Sequence, residues 1–333
     1  MTIDAVRAGD ELDWEATQRY LRSVLDLPQG PFSVRQFTAG HANLTYLLHF
    51  GDAPIVLRRP PRGTLALGSH DMHREFRVLS RLNNSYPRAP RALHFCPDET
   101  IVGSPFIVVE YRTGETVYDA VPASMAGLPD VAHRLNMAVI DAAADLHAVD
   151  VDAVGLSDLG KPSGFGERQV ANWSERWRRV APPDGSSLMF DVSARLAQTV
   201  PAPRKIALVH NDLKLDNCQF ASGEPDTVTA VFDWDMATIG DPLFDIGALL
   251  DATTWNPLWV LSTEEALRRY SSRSGADTSI VAWYLAFAHW RTAVVIQQFS
   301  HRHAAGDSAD DRLANIGQGV LERAEWAREL LDA

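Results

Sequence analysis

The chain has 333 residues, of which 46% are hydrophobic and 22% charged, enough apolar material for a globular protein with two lobes. Its formal net charge of -12 at pH 7 argues against a nucleic-acid binder and against a protein that binds anionic membranes, because both need a basic surface to meet phosphate groups. The acidic balance favours a cationic or neutral small-molecule partner.

Cysteine usage and the apolar segments bear on the compartment. Cys96 and Cys218 lie far apart and lack metal-site spacing, which predicts a reducing environment. Residues 1–11 lack the basic and apolar regions of a secretory signal, and the apolar segment 281–290 is too short to cross a membrane. We therefore expect a cytoplasmic protein with no membrane partner, either a monomer or a homodimer.

The first third of the chain predicts a leading helix followed by a set of strands. The helix covers residues 14–27 and stops before Pro28 and Gly30. The runs that read as strands are residues 32–37, 44–50, 54–60, 90–96 and 106–111. A helix at residues 71–82 is expected between the third and fourth strands.

The loop between the first two strands, residues 38–43, is a candidate phosphate-binding loop. Gly40 would let the backbone approach a phosphate group closely, and Asn43 or Thr45 would donate hydrogen bonds. The loop has a single glycine and no P-loop signature, so a plain hairpin turn fits equally well.

Beyond residue 113 the pattern turns helical. Residues 131–147 carry an apolar face and end in His147, which fits a buried hydrogen-bonding residue. In the following segment Trp173 and Trp177 are four residues apart and would share a helix face. Core packing is the simpler interpretation of these tryptophans, and a substrate platform is the alternative.

Four polar residues occur in the order His210, Asp212, Asn217 and Asp233. An apolar run delivers the first two to a loop, and a hairpin of two short strands would bring Asn217 close to Asp233. Phosphoryl transfer from a metal-bound nucleotide needs one carboxylate to orient or deprotonate the attacking hydroxyl, and an amide with a second carboxylate to hold magnesium. Each residue alone would be explained as a turn former or cap, whereas the ordered set favours catalysis.

The spacing His-x-Asp-x-x-x-x-Asn, followed by an aspartate at a strand end, resembles the catalytic loop and metal-binding segment of the protein-kinase-like fold. Trp234 and the run from Gly240 to Asp245 are similar to the aminoglycoside phosphotransferase and choline kinase family. Phrases within residues 56–61, 73–79 and 103–110 resemble the branch fused to acyl-CoA dehydrogenases, in which hydroxyacyl groups are phosphorylated.

This resemblance implies an α+β, bilobal protein-kinase-like fold, with an antiparallel sheet and a helix in the N-lobe and a largely helical C-lobe. It divides the chain into a nucleotide-binding lobe, residues 1–112, and a catalytic and acceptor-binding lobe, residues 113–333. Asp241 and Asp245 would be structural acids that cap helices or brace the catalytic loop.

The resemblance also assigns a nucleotide site for ATP or GTP. Arg58 takes the strand position of a lysine that grips the α- and β-phosphates, and it keeps the charge on a longer, forked side chain. Arg59 is the alternative, although strand alternation would send it to the opposite face. Glu75 is the expected ion-pair partner of Arg58, and the backbone near Glu110 and Tyr111 would meet the purine edge.

For catalysis the resemblance implies that Asp212 is the base and that Asn217 and Asp233 hold Mg²⁺. Lys214 would compensate charge on the transferred group, or it is a solvated loop residue. The predicted function is a small-molecule kinase that transfers the γ-phosphoryl group of ATP or GTP to a hydroxyl of a metabolite. The alternatives are an antibiotic-resistance kinase of aminoglycoside or macrolide type and a nucleotide-binding pseudokinase without turnover.

Overall fold

The computed structural model describes residues 3–38, 43–61, 71–182, 187–304, 317 and 319–333. Within these residues the β-strands are β1 (Ile3–Asp4), β2 (Phe32–Phe37), β3 (Leu44–Phe50), β4 (Ala53–Arg59), β5 (Ala92–Cys96), β6 (Phe106–Glu110), β7 (Glu115–Thr116), β8 (Ala207–Val209), β9 (Cys218–Ala221), β10 (Glu224–Val231) and β11 (Thr238–Gly240). The α-helices are α1 (Trp14–Val24), α2 (Met72–Leu82), α3 (Glu99–Val102), α4 (Val131–His147), α5 (Phe165–Val180), α6 (Ser187–Gln198), α7 (Leu243–Asp251), α8 (Thr263–Ser274), α9 (Val281–Ala304) and α10 (Gly319–Asp332).

The N-terminal half is built around an antiparallel six-stranded sheet in the order β1-β2-β3-β4-β6-β5. Strand β4 lies inside the sheet, where Arg58 is in register with Thr45 of β3 and Ile107 of β6. Its neighbour Arg59 is buried and donates to the carbonyl oxygen of Val102 in α3. Successive side chains of a strand face opposite sides. Arg58 and Arg59 are therefore separated by the sheet.

Helix α2 positions an acid beside β4. Asp71 caps the helix by accepting a hydrogen bond from the backbone N of Arg74 at 2.9 Å, and Leu79 is buried against the core. Glu75, in the first turn, is fully buried and contacts Arg58.

Two small sheets determine the positions of the loops in the C-terminal half. Strand β8 pairs with β11, and β9 pairs with both β10 and β7. The register places Val231 opposite Cys218, and the backbone N of Phe232 donates to the carbonyl oxygen of Asn217 at 2.9 Å. The residues that follow β10 therefore lie directly beside the loop that precedes β9.

The C-terminal half is otherwise helical, with α9 packed against α5, α7 and α10. Its aromatic residues form much of the core: the Phe244 ring lies against Trp283, Tyr284 and Phe287 with centroids 5.9, 5.2 and 5.1 Å apart. None of the helices in the described ranges is long and apolar enough to cross a membrane.

Two element boundaries differ from the sequence prediction by three residues or more. Helix α1 ends at Val24, short of residue 27, because Leu25 adopts an extended conformation and the residue before Pro28 disfavours helical backbone. Strand β10 begins at Glu224 and contains Pro225, whereas the sequence predicts a β-type run only over residues 228–232. A proline is tolerated there because β10 is an edge strand.

Candidate active site

The loop between β8 and β9, residues 210–217, is here called the catalytic loop after the segment that it resembles. One buried carboxylate holds its first residues in place. Asp245, in the first turn of α7, accepts hydrogen bonds from the backbone N of His210 at 2.8 Å and of Asn211 at 2.7 Å. The Nε2 atom of His147 lies 3.1 Å from the same carboxylate. Burial alone would raise the pKa of Asp245, but the hydrogen bonds and charges of His147 and His210 together hold that pKa below its usual value.

His210 and Asn211 fix the shape of this loop. The Nε2 atom of His210 lies 2.9 Å from the Phe232 carbonyl oxygen, and its Nδ1 accepts from the backbone N of Asp212 at 3.3 Å. The ring therefore connects the loop to the residue after β10, so His210 braces the loop. Asn211 has a left-handed backbone (φ 67) and donates from its side chain to the Met236 carbonyl oxygen at 2.9 Å.

Asp212 is oriented by two neighbours in the loop. The Lys214 ammonium lies 3.0 Å from Asp212 Oδ2, and the Asn217 side-chain nitrogen donates to the same oxygen at 2.9 Å. Burial opposes the charge of Lys214, but Asp212 outweighs burial and raises the Lys214 pKa. Because both donors bind Oδ2, the other carboxylate oxygen, Oδ1, remains to accept a hydroxyl proton.

Arg58 joins Glu75 to Asp233 across the two halves of the chain. Its Nη1 lies 2.8 Å from Glu75 Oε1, and its Nη2 lies 2.8 Å from Asp233 Oδ1. Burial raises the pKa of Glu75 to about 7 even though the Arg58 charge opposes the shift. Burial would also raise the pKa of Asp233, but the charge and hydrogen bond of Arg58, with the charges of His210 and Lys214, hold that pKa below its usual value.

A cleft of about 550 Å³, here called the first cleft, lies between the six-stranded sheet and the catalytic loop. That volume is within the range of small-molecule sites. Asp212 does not line the first cleft, but Asp212 contacts Lys214 and Asn217, which do. The predicted site residues that line it are Asn43, Arg58, Glu75, Glu110, Tyr111, Lys214, Asn217 and Asp233. Val56, Leu79 and Val109 supply an apolar wall. Gly40, which was predicted to approach a phosphate group, lies outside the described residues.

The segment after β6 offers backbone to the first cleft. The backbone N of Glu110 already donates to the Arg91 carbonyl oxygen at 3.0 Å, and its carboxylate lies 2.6 Å from Arg112 Nη2. The amide of Glu110 is therefore engaged within the sheet, and the backbone of Tyr111 and Arg112 is the better candidate for contact with a purine edge. Gly114 turns the chain with φ 147, where an added Cβ would collide with the Phe220 carbonyl oxygen.

Asp233 and Asn217 suit a magnesium ion. Among the described residues, no group of three or more His, Cys, Asp or Glu side chains could hold a metal by itself. Magnesium bound with a nucleotide needs few protein ligands, because phosphate and water oxygens complete its octahedron. The Asn217 nitrogen points to Asp212, which leaves the Asn217 amide oxygen as a ligand, and Asp233 brings a carboxylate.

Two residues of the site, Asp216 and Arg291, were not predicted from the sequence. Asp216 lines the first cleft, and burial raises its pKa to about 6 against the opposing charge of Lys214. Its position inside the catalytic loop was the available signal. Arg291 donates from Nη2 to the Asn211 carbonyl oxygen at 2.9 Å, but it is 80 residues away in the chain, so no local pattern marks it.

The two tryptophans of α5 have different environments. Trp177 is 1% exposed and belongs to the core. Trp173 is also buried, but it lines a cavity together with Asn211, and Arg176 and Arg291 lie over its ring. The core interpretation therefore holds for Trp177, while Trp173 also belongs to a cavity wall.

Comparison with known proteins gives the family. Residues 33–284 match the model of the phosphotransferase enzyme family. Acyl-CoA dehydrogenase family member 10 of Mus musculus is 30% identical over 97% of this chain, which spans only 31% of that longer protein.

Solved structures give the fold. A Ralstonia eutropha protein, assigned provisionally as an aminoglycoside phosphotransferase, superposes with a TM-score of 0.81 at 26% identity, covering 97% of this chain and 99% of its own. A thermostable mutant of aminoglycoside phosphotransferase APH(4)-Ia, in ternary complex with AMP-PNP and hygromycin B, superposes with a TM-score of 0.59 at 16% identity, covering 95% and 96%.

The predicted α+β, bilobal kinase-like fold is confirmed by these superpositions, and the predicted enzyme class, a phosphotransferase with a hydroxyl acceptor, is confirmed by the family match. The resemblance to the branch fused to acyl-CoA dehydrogenases is also confirmed. The chain therefore belongs to the phosphotransferase enzyme family.

Proposed function

We propose that this small-molecule phosphotransferase binds ATP or GTP with Mg²⁺ in the first cleft and transfers the γ-phosphoryl group to a hydroxyl of a small metabolite. The observation that carries the proposal is the grouping of Asp212, Lys214 and Asn217 in one loop, with Asp233 and Arg58 beside it. A cleft of about 550 Å³ with one apolar wall and a charged end suits a purine nucleotide.

Asp212 acts on the acceptor. Its carboxylate is fixed by Lys214 and Asn217 through Oδ2, which supports Oδ1 as the atom that receives the hydroxyl proton. A bond forms between the acceptor oxygen and the γ-phosphorus, the bond from that phosphorus to the β–γ bridging oxygen breaks, and the nucleoside diphosphate leaves. Because such transition states are loose, positioning and charge compensation supply most of the catalysis.

The remaining charged residues hold the nucleotide. Asn217 and Asp233 would bind magnesium, which neutralises phosphate charge when it is present. Arg58 would contact phosphate oxygens through its guanidinium fork while Glu75 keeps the fork oriented from its buried side. Lys214 lies 3.0 Å from Asp212 and so is placed to compensate charge on the transferred group.

A hydroxylated metabolite ranks before an antibiotic as the acceptor. Acyl-CoA dehydrogenase family member 10 is 30% identical to this chain, whereas the aminoglycoside kinase in complex with hygromycin B is only 16% identical. A pseudokinase is the remaining alternative, and the intact set of Asp212, Asn217 and Asp233 argues against it.

A transfer assay tests the proposal. Purified protein with ATP or GTP and Mg²⁺ should add one phosphoryl group to a hydroxyl compound, read as a mass increase of the acceptor. Asp212→Asn should lower kcat by about 10²- to 10⁴-fold, whereas Asp277→Asn, at an exposed position, should not. Normal transfer by Asp212→Asn would refute the catalytic assignment. Stabilisation by nucleotide without transfer to any acceptor would instead support the pseudokinase.

A further inference from the structure

A second cavity of about 420 Å³, here called the second cleft, borders the catalytic loop at Asn211. Asn211 and Asp235 line the second cleft, whereas Lys214 and Asp233 line the first. Asp212 lies between Asn211 and Lys214 in the loop. The second cleft therefore borders the loop at the residue that precedes the proposed base, and the first cleft borders it at residues that follow the base.

The lining of the second cleft is basic, although the whole chain has a net charge of -12. Two carboxylates, Asp71 and Asp235, face five basic side chains there. The basic residues are Arg74, Lys161, Arg168, Arg176 and Arg291. A local excess of positive charge in an acidic protein attracts anions to this place.

Two of these arginines, Arg176 and Arg291, contact the same aromatic ring. The guanidinium carbons of Arg176 and Arg291 lie 4.4 and 5.2 Å from the centroid of the Trp173 ring. Burial lowers the pKa of Arg176, and the nearby charge of Arg291 lowers it further. Within the described ranges, neither arginine has a carboxylate oxygen within 4.0 Å.

Arg291 also contacts the catalytic loop. Its Nη2 donates to the carbonyl oxygen of Asn211 at 2.9 Å, and Asn211 immediately precedes Asp212. An oxyanion that accepts hydrogen bonds from Arg176 and from the part of the Arg291 guanidinium that does not contact Asn211 would relieve their mutual repulsion. Arginine forks suit carboxylate and phosphate oxygens, which they bind in pairs.

We propose that the second cleft binds the acceptor and that Arg176 and Arg291 recognise a carboxylate or phosphate group which the acceptor carries in addition to its reactive hydroxyl. This inference rests on the proposed function and adds to it the substrate class, an anionic hydroxyl compound. It reverses the preference for a cationic or neutral acceptor that the total charge of the chain suggests. Phe165, Trp173 and Met236 also line the second cleft and give it apolar surface for the carbon skeleton between hydroxyl and anion.

Four compounds that share a three-carbon skeleton test the inference on the full chain. They are glycerol, which is neutral, 3-aminopropane-1,2-diol, which is cationic, glycerate, which carries a carboxylate, and glycerol 3-phosphate. Binding of AMP-PNP with Mg²⁺ is measured first by calorimetry, because its absence would count against the proposed function and not against the second cleft. Each compound is then titrated into the protein saturated with AMP-PNP, so that the first cleft is filled.

Glycerate or glycerol 3-phosphate should bind more tightly than glycerol and the amine, and the stronger of the two identifies the anion. Arg176→Gln should weaken that binding by about tenfold, the value of one charge-assisted hydrogen bond, and should remove most of its salt dependence. Arg178→Gln makes the same charge change on α5 at an exposed residue that is absent from the second cleft, and should leave the affinity within about twofold. Equal binding of all four compounds, no binding of either anion, or equal losses in both variants would overturn the inference.

Discussion

Arg58 Nη2 lies 2.8 Å from Asp233 Oδ1, so the cation of strand β4 directly contacts a proposed magnesium ligand that is 175 residues away in the chain. The same guanidinium lies 2.8 Å from Glu75 through its other terminal nitrogen. A lysine has a single terminal nitrogen, whereas Arg58 contacts each carboxylate through a different nitrogen of its fork. The arginine therefore couples α2, β4 and the segment after β10 in one ion-pair network.

Removal of this cation should destabilise the fold. Arg58→Ala leaves Glu75 and Asp233 without their partner, and Glu75 is fully buried. We expect a loss of about 3–5 kcal/mol in the free energy of unfolding, measured by denaturant titration, because an unpaired buried charge is costly. The same substitution in a Glu75→Gln background should cost clearly less. Equal costs in the two backgrounds would show that the ion pair does not carry the effect.

Arg58→Lys should change the magnesium requirement. The shorter ammonium cannot hold Asp233 while it pairs with Glu75, so Asp233 becomes more available to the metal. The Mg²⁺ concentration for half-maximal phosphoryl transfer should fall, by up to about tenfold if one charge-assisted hydrogen bond is lost. Arg59→Lys is the matched control, because Arg59 lies on the opposite face of the same strand. An unchanged requirement in Arg58→Lys would contradict the competition between Arg58 and magnesium.

The sequence predicted the local parts of this site because they depend on short segments. Asn217 and Asp233 come together through one hairpin, and its pairing of Cys218 with Val231 follows from two apolar runs and a turn. The contact of Arg58 with Glu75 followed from the resemblance, which supplied the packing of α2 on the sheet.

Contacts between residues far apart in the chain could not be predicted from local sequence patterns. The Arg58 contact with Asp233 depends on how the sheet packs on the catalytic loop. The second cleft combines side chains from α2, α5 and α9 with the loop, and the total charge of the chain pointed to the opposite sign. Such features depend on tertiary packing, which neither periodicity nor composition records.

Glu75 should make stability depend on pH near neutrality. Burial raises its pKa from an ordinary value of 4.5 to about 7, so the folded state binds this proton more tightly than the unfolded chain. The stability contribution is full below the unfolded pKa and is lost as pH rises through the folded one. Glu75→Gln should therefore reduce the fall in unfolding free energy between about pH 5 and pH 8.

Some of that fall should persist in Glu75→Gln, since burial raises the pKa of Asp216 to about 6 and gives the same sign. Glu264→Gln, an exposed residue of α8, is the control and should keep the full wild-type slope. A wild-type slope in Glu75→Gln would assign the pH dependence to other groups.

Substitutions at Asp245 and Asp241 should distinguish an effect on the catalytic loop from a general loss of fold stability. Both are buried acids near the start of α7, but Asp245 binds the backbone of His210 and Asn211, whereas Asp241 accepts from the Tyr284 hydroxyl at 2.7 Å. Each substitution to asparagine replaces an acceptor oxygen with a donor group and should lower the free energy of unfolding by about 1–3 kcal/mol. Only Asp245→Asn should also lower kcat, measured at a temperature where both variants are folded, because only its partners lie next to Asp212. If Asp241→Asn lowers kcat to the same extent, general destabilisation explains both results and the bracing role of Asp245 is wrong.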